Sequence, residues 1–263
     1  MCDACRTHCR RVLMFTCLLA ATAMSAVTIK ETNAMPAKPV VEVCDPGMLD
    51  VIDPHAQVQP VATNLKFTEG PVWLPGAQTL LFSDIPANTI YQWTPAAGLS
   101  VFRSPSHNAN GNILDREGRL ITCEHGARRV TRTETNGTVT VLTAAYRGRA
   151  FNSPNDAVVK RDGTIWFTDP PYGLGTRDKE QDGNYVFRLD PGAAEPVIVA
   201  RDFVMPNGLC FSPDESMLYI ADSGAPRHIR RFRVTATNTL KDDGVFAAIT
   251  PGAPDGIRVD ARG

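Results

Sequence analysis

The chain carries no excess of either charge: 27 Lys and Arg stand against 28 Asp and Glu, for a formal net charge of −1 over 263 residues. No long basic stripe interrupts that balance. The electrostatic footprint that a phosphate backbone demands is missing, so nucleic acid is not an expected partner. Long apolar runs are scarce as well. The one extended run, from Val12 to about Met24, falls short of the roughly 20 residues that carry a helix across a bilayer. The G-x-S-x-G nucleophile elbow, the P-loop, the three-glycine dinucleotide fingerprint and H-E-x-x-H are all absent. The five histidines, at 8, 55, 107, 125 and 228, show no paired spacing, which argues against a His-rich metal centre.

What is present fits an ordered globular chain. Hydrophobic residues make up 43% and charged residues 21%, too apolar a balance for disorder. Glycine and proline number 20 each, a density of backbone punctuation that favours hairpins over long helices. Arg6, Arg10 and Arg11 precede the apolar run, and Ala21, Ala23, Ser25 and Ala26 follow it. That charged, apolar, small-residue order predicts a secretory signal over residues 1–26 and a protein exported to the periplasm or secreted, with no membrane partner once the leader is removed. A linker rich in Pro and Ala is expected over 27–51, and a β-domain over 52–263. Cys2, Cys5, Cys9 and Cys17 fall within the leader, the first three with His8 in a spacing that resembles a short metal cluster. Cys44, Cys123 and Cys210 remain and cannot all pair internally; Cys123 and Cys210 sit in apolar strand patterns, where a buried thiol is the expectation.

One pattern occurs five times: a polar residue, a small residue, a strand, a turn and a second strand. The copies open at Glu69, Asn110, Asn155, Asn207 and Asp255, at intervals of 41 to 52 residues. Their second strands read Leu80-Leu81-Phe82-Ser83-Asp84, Arg119-Leu120-Ile121-Thr122-Cys123, Thr164-Ile165-Trp166-Phe167-Thr168-Asp169 and Met217-Leu218-Tyr219-Ile220-Ala221-Asp222. Turn chemistry such as Pro75-Gly76 and Arg161-Asp162-Gly163 joins the strands of each pair. Further strands follow at Thr89–Trp93, Tyr185–Leu189 and Ile229–Val234, so each unit holds about four. Four-stranded units at this period describe the blades of a β-propeller. A sandwich lacks so long a period, and a solenoid repeats more strictly. The fifth copy reaches Asp260-Ala261-Arg262-Gly263 without a second strand, so the expected ring is open, its fifth repeat only begun.

In a propeller the first strand of each blade lines the axis, and the five opening residues are therefore brought to one ring. Two are carboxylates and three are carboxamides. One reading makes them strand caps or Asx turns. The other makes them oxygen donors to a hard divalent cation, Ca²⁺ first and Zn²⁺ or Mn²⁺ next, because crowded carboxylates repel one another unless a positive charge lies between them. Glu69, Asn155, Asn207 and Asp255 are the candidate ligands. His125, in Glu124-His125-Gly126, is either a substrate contact at the channel mouth or a structural loop histidine.

Phe67-Thr68-Glu69-Gly70-Pro71-Val72-Trp73, Thr122-Cys123-Glu124-His125-Gly126, Asn152-Ser153-Pro154-Asn155-Asp156, Phe167-Thr168-Asp169-Pro170-Pro171-Tyr172-Gly173, Pro206-Asn207-Gly208-Leu209 and Pro254-Asp255-Gly256 together resemble the gluconolactonase family, which includes the animal protein called regucalcin or senescence marker protein 30. The resemblance runs from about Leu65 to Gly263. It implies a six-bladed propeller that hydrolyses sugar lactones, such as gluconolactone to the aldonic acid, with a divalent metal on the axis. It carries the metal role onto Glu69, Asn207 and Asp255, places Asn155 at or beside the metal, and makes Asp255 the catalytic acid/base. Metal ligation lowers a carboxylate's basicity, so Asp255 is either base or ligand and orienter. Asn110, His125, Asn155 and Tyr172 are the candidate substrate contacts. Animal members carry an arginine where Ser153 stands here, which leaves sugar recognition open. Other lactones, organophosphate esters and a non-catalytic small-molecule-binding propeller are the alternatives.

Overall fold

The computed structural model describes residues 45–53 and 55–263. The expected leader, with its cysteines and His8, lies outside the described residues, as do Cys44 and most of the expected linker; the linker's last residues form a short 3-10 helix, Pro46–Asp50. Among the described residues, no helix is long and apolar enough to cross a membrane.

Four antiparallel sheets follow, each of four strands in simple sequential order. The first holds β1 (Thr68–Leu74), β2 (Thr79–Asp84), β3 (Thr89–Thr94) and β4 (Gly98–Arg103); the second holds β5 (Ala109–Leu114), β6 (Leu120–Glu124), β7 (Arg129–Thr133) and β8 (Val139–Thr143). A small hairpin of β9 (Ala145–Tyr146) and β10 (Arg149–Ala150) leads to the third sheet, β11 (Ala157–Val159), β12 (Ile165–Asp169), β13 (Tyr185–Leu189) and β14 (Val197–Ala200). The fourth is β15 (Pro206–Phe211), β16 (Met217–Asp222), β17 (His228–Val234) and β18 (Leu240–Ala248). These sheets are the blades predicted from the repeat. The fifth copy contributes one isolated bridge at Arg258, with Ile257 buried beside it. First strands touch in succession, β1 to β5, β5 to β11 and β11 to β15, which makes them the inner strands.

Apolar side chains fill the seams between blades. Val72, Leu81 and Ile90 of the first blade pack with Ala109 and Leu120 of the second. Ile121, Cys123 and Val130 of the second join Phe151, Phe167 and Phe187 at the third. Trp166 and Val186 join Leu209, Leu218 and Phe232 of the fourth, and Cys210 and Ile229 join Ile257. Each seam is a core shared by two sheets, so no blade can bury its face alone. Cys123 and Cys210 are free, buried thiols as expected. Burial pushes the Cys210 thiol up to about 12, which leaves it unreactive at neutral pH.

One inner strand is shorter than the repeat predicts. The third begins at Ala157 rather than Asn155, since Pro154 has no N–H to give a ladder and Asn155 and Thr168 bond irregularly instead, Asn155 N–H to the Thr168 carbonyl and Thr168 N–H to the Asp156 carbonyl. The longest interval, between Asn155 and Asn207, contains the loop 170–184 that joins β12 to β13.

Candidate active site at the hub

Three of the hub residues, Glu69, Asn110 and Asn207, stand where their strands break register. The pairing shifts between Glu69 and Val72, between Ala109 and Asn112, and between Pro206 and Leu209. Such bulges bend a strand and re-aim a side chain, here away from the ladder. Glycine makes the approach possible. A Cβ on Gly208 would meet the Asp255 carbonyl oxygen at 2.5 Å, and Gly70 adopts φ +56° against the Asn110 carbonyl; only glycine accepts both demands. The hub carbonyls are tied to the preceding blade: Ser83 Oγ donates to Asn110 O at 2.8 Å, Thr168 Oγ1 to Asn207 O at 2.8 Å, Gly111 N to Asn155 O at 2.8 Å and Gly208 N to Asp255 O at 3.2 Å.

Glu69, Asn110, Asn155, Asn207 and Asp255 line one cavity of about 320 Å³. His125 and Tyr172 line it too, together with Phe67, Ile85, Ser223, Ala253 and Pro254. Every site residue predicted from the sequence therefore reaches the same space. Burial, with Asp255 and Asp156 nearby, pushes the Glu69 carboxyl up to about 7. Asp255 keeps an exposed flank; its carboxyl is raised by partial burial and by Asp156, against a lowering hydrogen bond with Asn207. Two carboxyl groups thus share a site that disfavours their joint ionisation.

His125 is buried, and its Nε2 lies 3.1 Å from Asn110 Nδ2. Burial first, and Arg177 second, push its pKa down to about 4, so the ring is a neutral hydrogen-bonding group near pH 7. Arg177 staples the 170–184 loop over this corner: Nη1 donates to Gly126 O at 2.7 Å, and Nη2 to His125 O at 3.0 Å and Gly173 O at 2.5 Å. The loop thereby brings half-exposed Tyr172 over the cavity.

Other residues at the hub escaped the sequence reading. Below Asn155, Asp156 accepts a forked pair of hydrogen bonds from Arg258, at 2.9 and 3.2 Å, across 102 residues of chain. Phe67 and Ile85 form an apolar wall, a role that an alternating strand pattern does not announce. The carboxylates of Asp84, Asp169 and Asp222 hold the segments that lead into three hub residues. Their signal was visible, since each closes the second strand of its copy.

Among the described residues, no group of three or more His, Cys, Asp or Glu side chains gathers as a metal cluster. The donor set on offer is mixed: two carboxylates and carboxamide oxygens. Asn207 gives its Nδ2 to Ser223 Oγ at 2.9 Å, which leaves its Oδ1 free. Hard, uncharged and anionic oxygens in this proportion suit a hard divalent ion. The residues present fit such a group.

Radial blades, a bulged inner strand in three of the blades and a hub of acids and amides define a β-propeller whose chemistry lies on its axis. The chain belongs to the family described as SMP-30/Gluconolactonase/LRE-like region, which it matches over residues 67–263. It is 33% identical to a gluconolactonase of Zymomonas mobilis, over 83% of this chain and 68% of that protein. A solved gluconolactonase of Xanthomonas campestris aligns with TM-score 0.72 and 36% identity, covering 76% of this chain and 69% of that one. A calcium-binding regucalcin of Agrobacterium tumefaciens shares the fold at TM-score 0.54 and 18% identity, covering 75% and 60%. The chain thus spans about two thirds of the length of the curated gluconolactonase it matches.

Proposed function

We propose that the protein is a lactone hydrolase of the gluconolactonase type, opening sugar lactones to the hydroxy acid with a divalent cation, Ca²⁺ first, held at the hub. The observation that carries this reading is the convergence of Glu69 and Asp255 with three carboxamides on one cavity, in a chain that is a third identical to a gluconolactonase. Glu69, Asn155, Asn207 and Asp255 would hold the cation, which when bound supplies the Lewis acidity that polarises a lactone carbonyl.

The chain's own residues do the rest. Asp255, with its raised carboxyl and an exposed flank, takes a proton from the attacking water. The water oxygen bonds to the carbonyl carbon, the bond from that carbon to the ring oxygen breaks, and the ring oxygen receives the proton that Asp255 returns. Asn110 and neutral His125 hydrogen-bond the sugar hydroxyls, Asn155 adds its amide, Tyr172 closes the open side and Phe67 with Ile85 packs on a C–H face. Among the described residues no Lys or Arg lines the cavity, which favours a neutral lactone over one bearing sulfonate or phosphate.

The family resemblance supports a ring of six blades, of which the described residues supply four and a single bridge of a fifth. The charged, apolar, small-residue order of the first 26 residues supports export.

Acid release from gluconolactone, followed at constant pH with and without chelator, tests the reading. Asp255→Ala should lose at least 100-fold in kcat/KM, the size expected when a positioned acid/base is removed. Turnover kept by Asp255→Ala, or indifferent to the chelator, overturns it.

A further inference from the structure

We infer that Asp84, Asp169 and Asp222 are positioning residues that set the hub donors Glu69, Asn155 and Asn207, and through them the affinity of the site for its cation; the inference rests on the cation-holding reading above. The three share one geometry. Asp84 Oδ2 accepts from Lys66 N at 2.9 Å and Oδ1 from Phe67 N at 3.2 Å. Asp169 accepts from Asn152 N and Ser153 N, each at 2.8 Å. Asp222 accepts from Val204 N at 2.9 Å and Met205 N at 2.8 Å. In every case the second clamped amide lies two residues before the hub residue, and the carboxylate is at most 1% exposed.

Two parallel N–H bonds to one carboxylate fix both the position and the orientation of a peptide segment. Two residues later stands the hub residue, at a bulge in the first and fourth blades and just ahead of the inner strand in the third. The direction in which the hub side chain points is therefore set by where the clamp holds the chain. Three such clamps, one on each of three different blades, fix the relative placement of three oxygen donors that no single strand could align.

The second blade shows that the device is not a general need of the fold. Its residue at the matching place is Glu124, and Glu124 binds no amide of the approach segment. It accepts instead from Arg103 at 3.1 Å, Arg129 at 2.7 Å and Thr131 at 3.0 Å. The approach to Asn110 is held by Asn88, whose Oδ1 accepts from Ser106 N at 3.1 Å and Asn108 N at 2.8 Å. The blades with the aspartate clamp carry three of the four proposed cation donors, and the blade held by Asn88 carries Asn110, a proposed sugar contact.

Calorimetric titration of the full chain with Ca²⁺, Zn²⁺ and Mn²⁺ tests this on Asp84→Asn, Asp169→Asn and Asp222→Asn, with Glu124→Gln as the comparison and thermal melting recorded for each. An asparagine keeps one acceptor and turns an N–H toward the second amide. Each clamp variant should bind the preferred ion about tenfold more weakly, the lower end of what outer-shell partners contribute, while Glu124→Gln melts earlier and binds as wild type. Aspartates that serve only as loop staples would lower the melting temperature and leave ion affinity untouched, which overturns the inference. Failure of all three variants to fold, or equal loss of affinity in Glu124→Gln, overturns it as well. A wild-type chain that takes up none of the ions removes the cation-holding reading first, and the inference with it.

Discussion

The second blade and its neighbours solve the same problem with different chemistry. In the first, third and fourth blades an aspartate at the end of the second strand reaches the two amides that precede the hub residue. The second blade has glutamate there, one methylene longer, and its carboxylate joins Arg103, Arg129 and Thr131 instead. The approach segment then takes left-handed backbone at His107 and Asn108, with φ of 56° and 53°, and is held by Asn88 of the first blade. Equivalent sequence positions are not equivalent in role. The carboxylate that holds the approach to a hub donor in three blades is, in the second blade, part of the contact between the first two blades.

The largest effect expected from breaking this contrast is at Glu124. Its carboxylate is fully buried while Arg103 and Arg129 keep 14% and 24% side-chain exposure. Glu124→Gln removes the charge that both guanidinium groups face, and stability should fall by about 3 kcal/mol, as when one partner of a buried pair is removed; urea unfolding measures it.

A smaller effect concerns Glu69, on the clamped side. Its folded carboxyl lies at about 7 against an ordinary 4.5. A raised carboxyl favours the folded state while it is protonated in both states, so this contribution is complete below about pH 4.5 and is lost as pH rises to about 7. In chelator, Glu69→Gln should remove that loss and come out about 2 kcal/mol more stable than wild type at pH 8, with the gap closing by pH 4.5. His125, held down at about 4, contributes with the opposite sign: its stabilisation is complete above about 6.5 and lost as pH falls through 4. The quantity to follow is therefore the difference between wild type and variant. A gap that does not change with pH would place the Glu69 carboxyl outside the shared site.

The smallest effect should come from Asn88→Asp. The substitution keeps Oδ1 for the amides of Ser106 and Asn108 and gives the second blade the carboxylate its neighbours use. Stability should change by less than about 0.5 kcal/mol and cation affinity not at all. A gain in cation affinity would show that the contrast between blades lies in the charge of the holder rather than in the segment it holds.

Much of this molecule is legible without coordinates, because a radial repeat maps sequence phase onto position. The spacing of Glu69, Asn110, Asn155, Asn207 and Asp255 placed all five on one cavity. Tyr172 and His125 were reachable through their motifs. The Asp156–Arg258 pair was not, since its partners come from different copies and share no phase. Nor was the wall of Phe67 and Ile85, whose residues flank strands where an apolar side chain has no distinctive spacing.

The sequence by itself determined the four-stranded unit, the order of the blades and the identity of the hub residues, since turn chemistry, strand alternation and the repeat period are local properties of the chain. Only the tertiary structure decided which of the strand-end carboxylates hold a backbone and which pair with arginine. Asp84, Asp169, Asp222 and Glu124 share one place in the repeat, and their fates differ through side-chain length, the conformation of a loop from the neighbouring position and the guanidinium groups in reach. Those are distances between segments far apart in the chain, and folding alone brings them together.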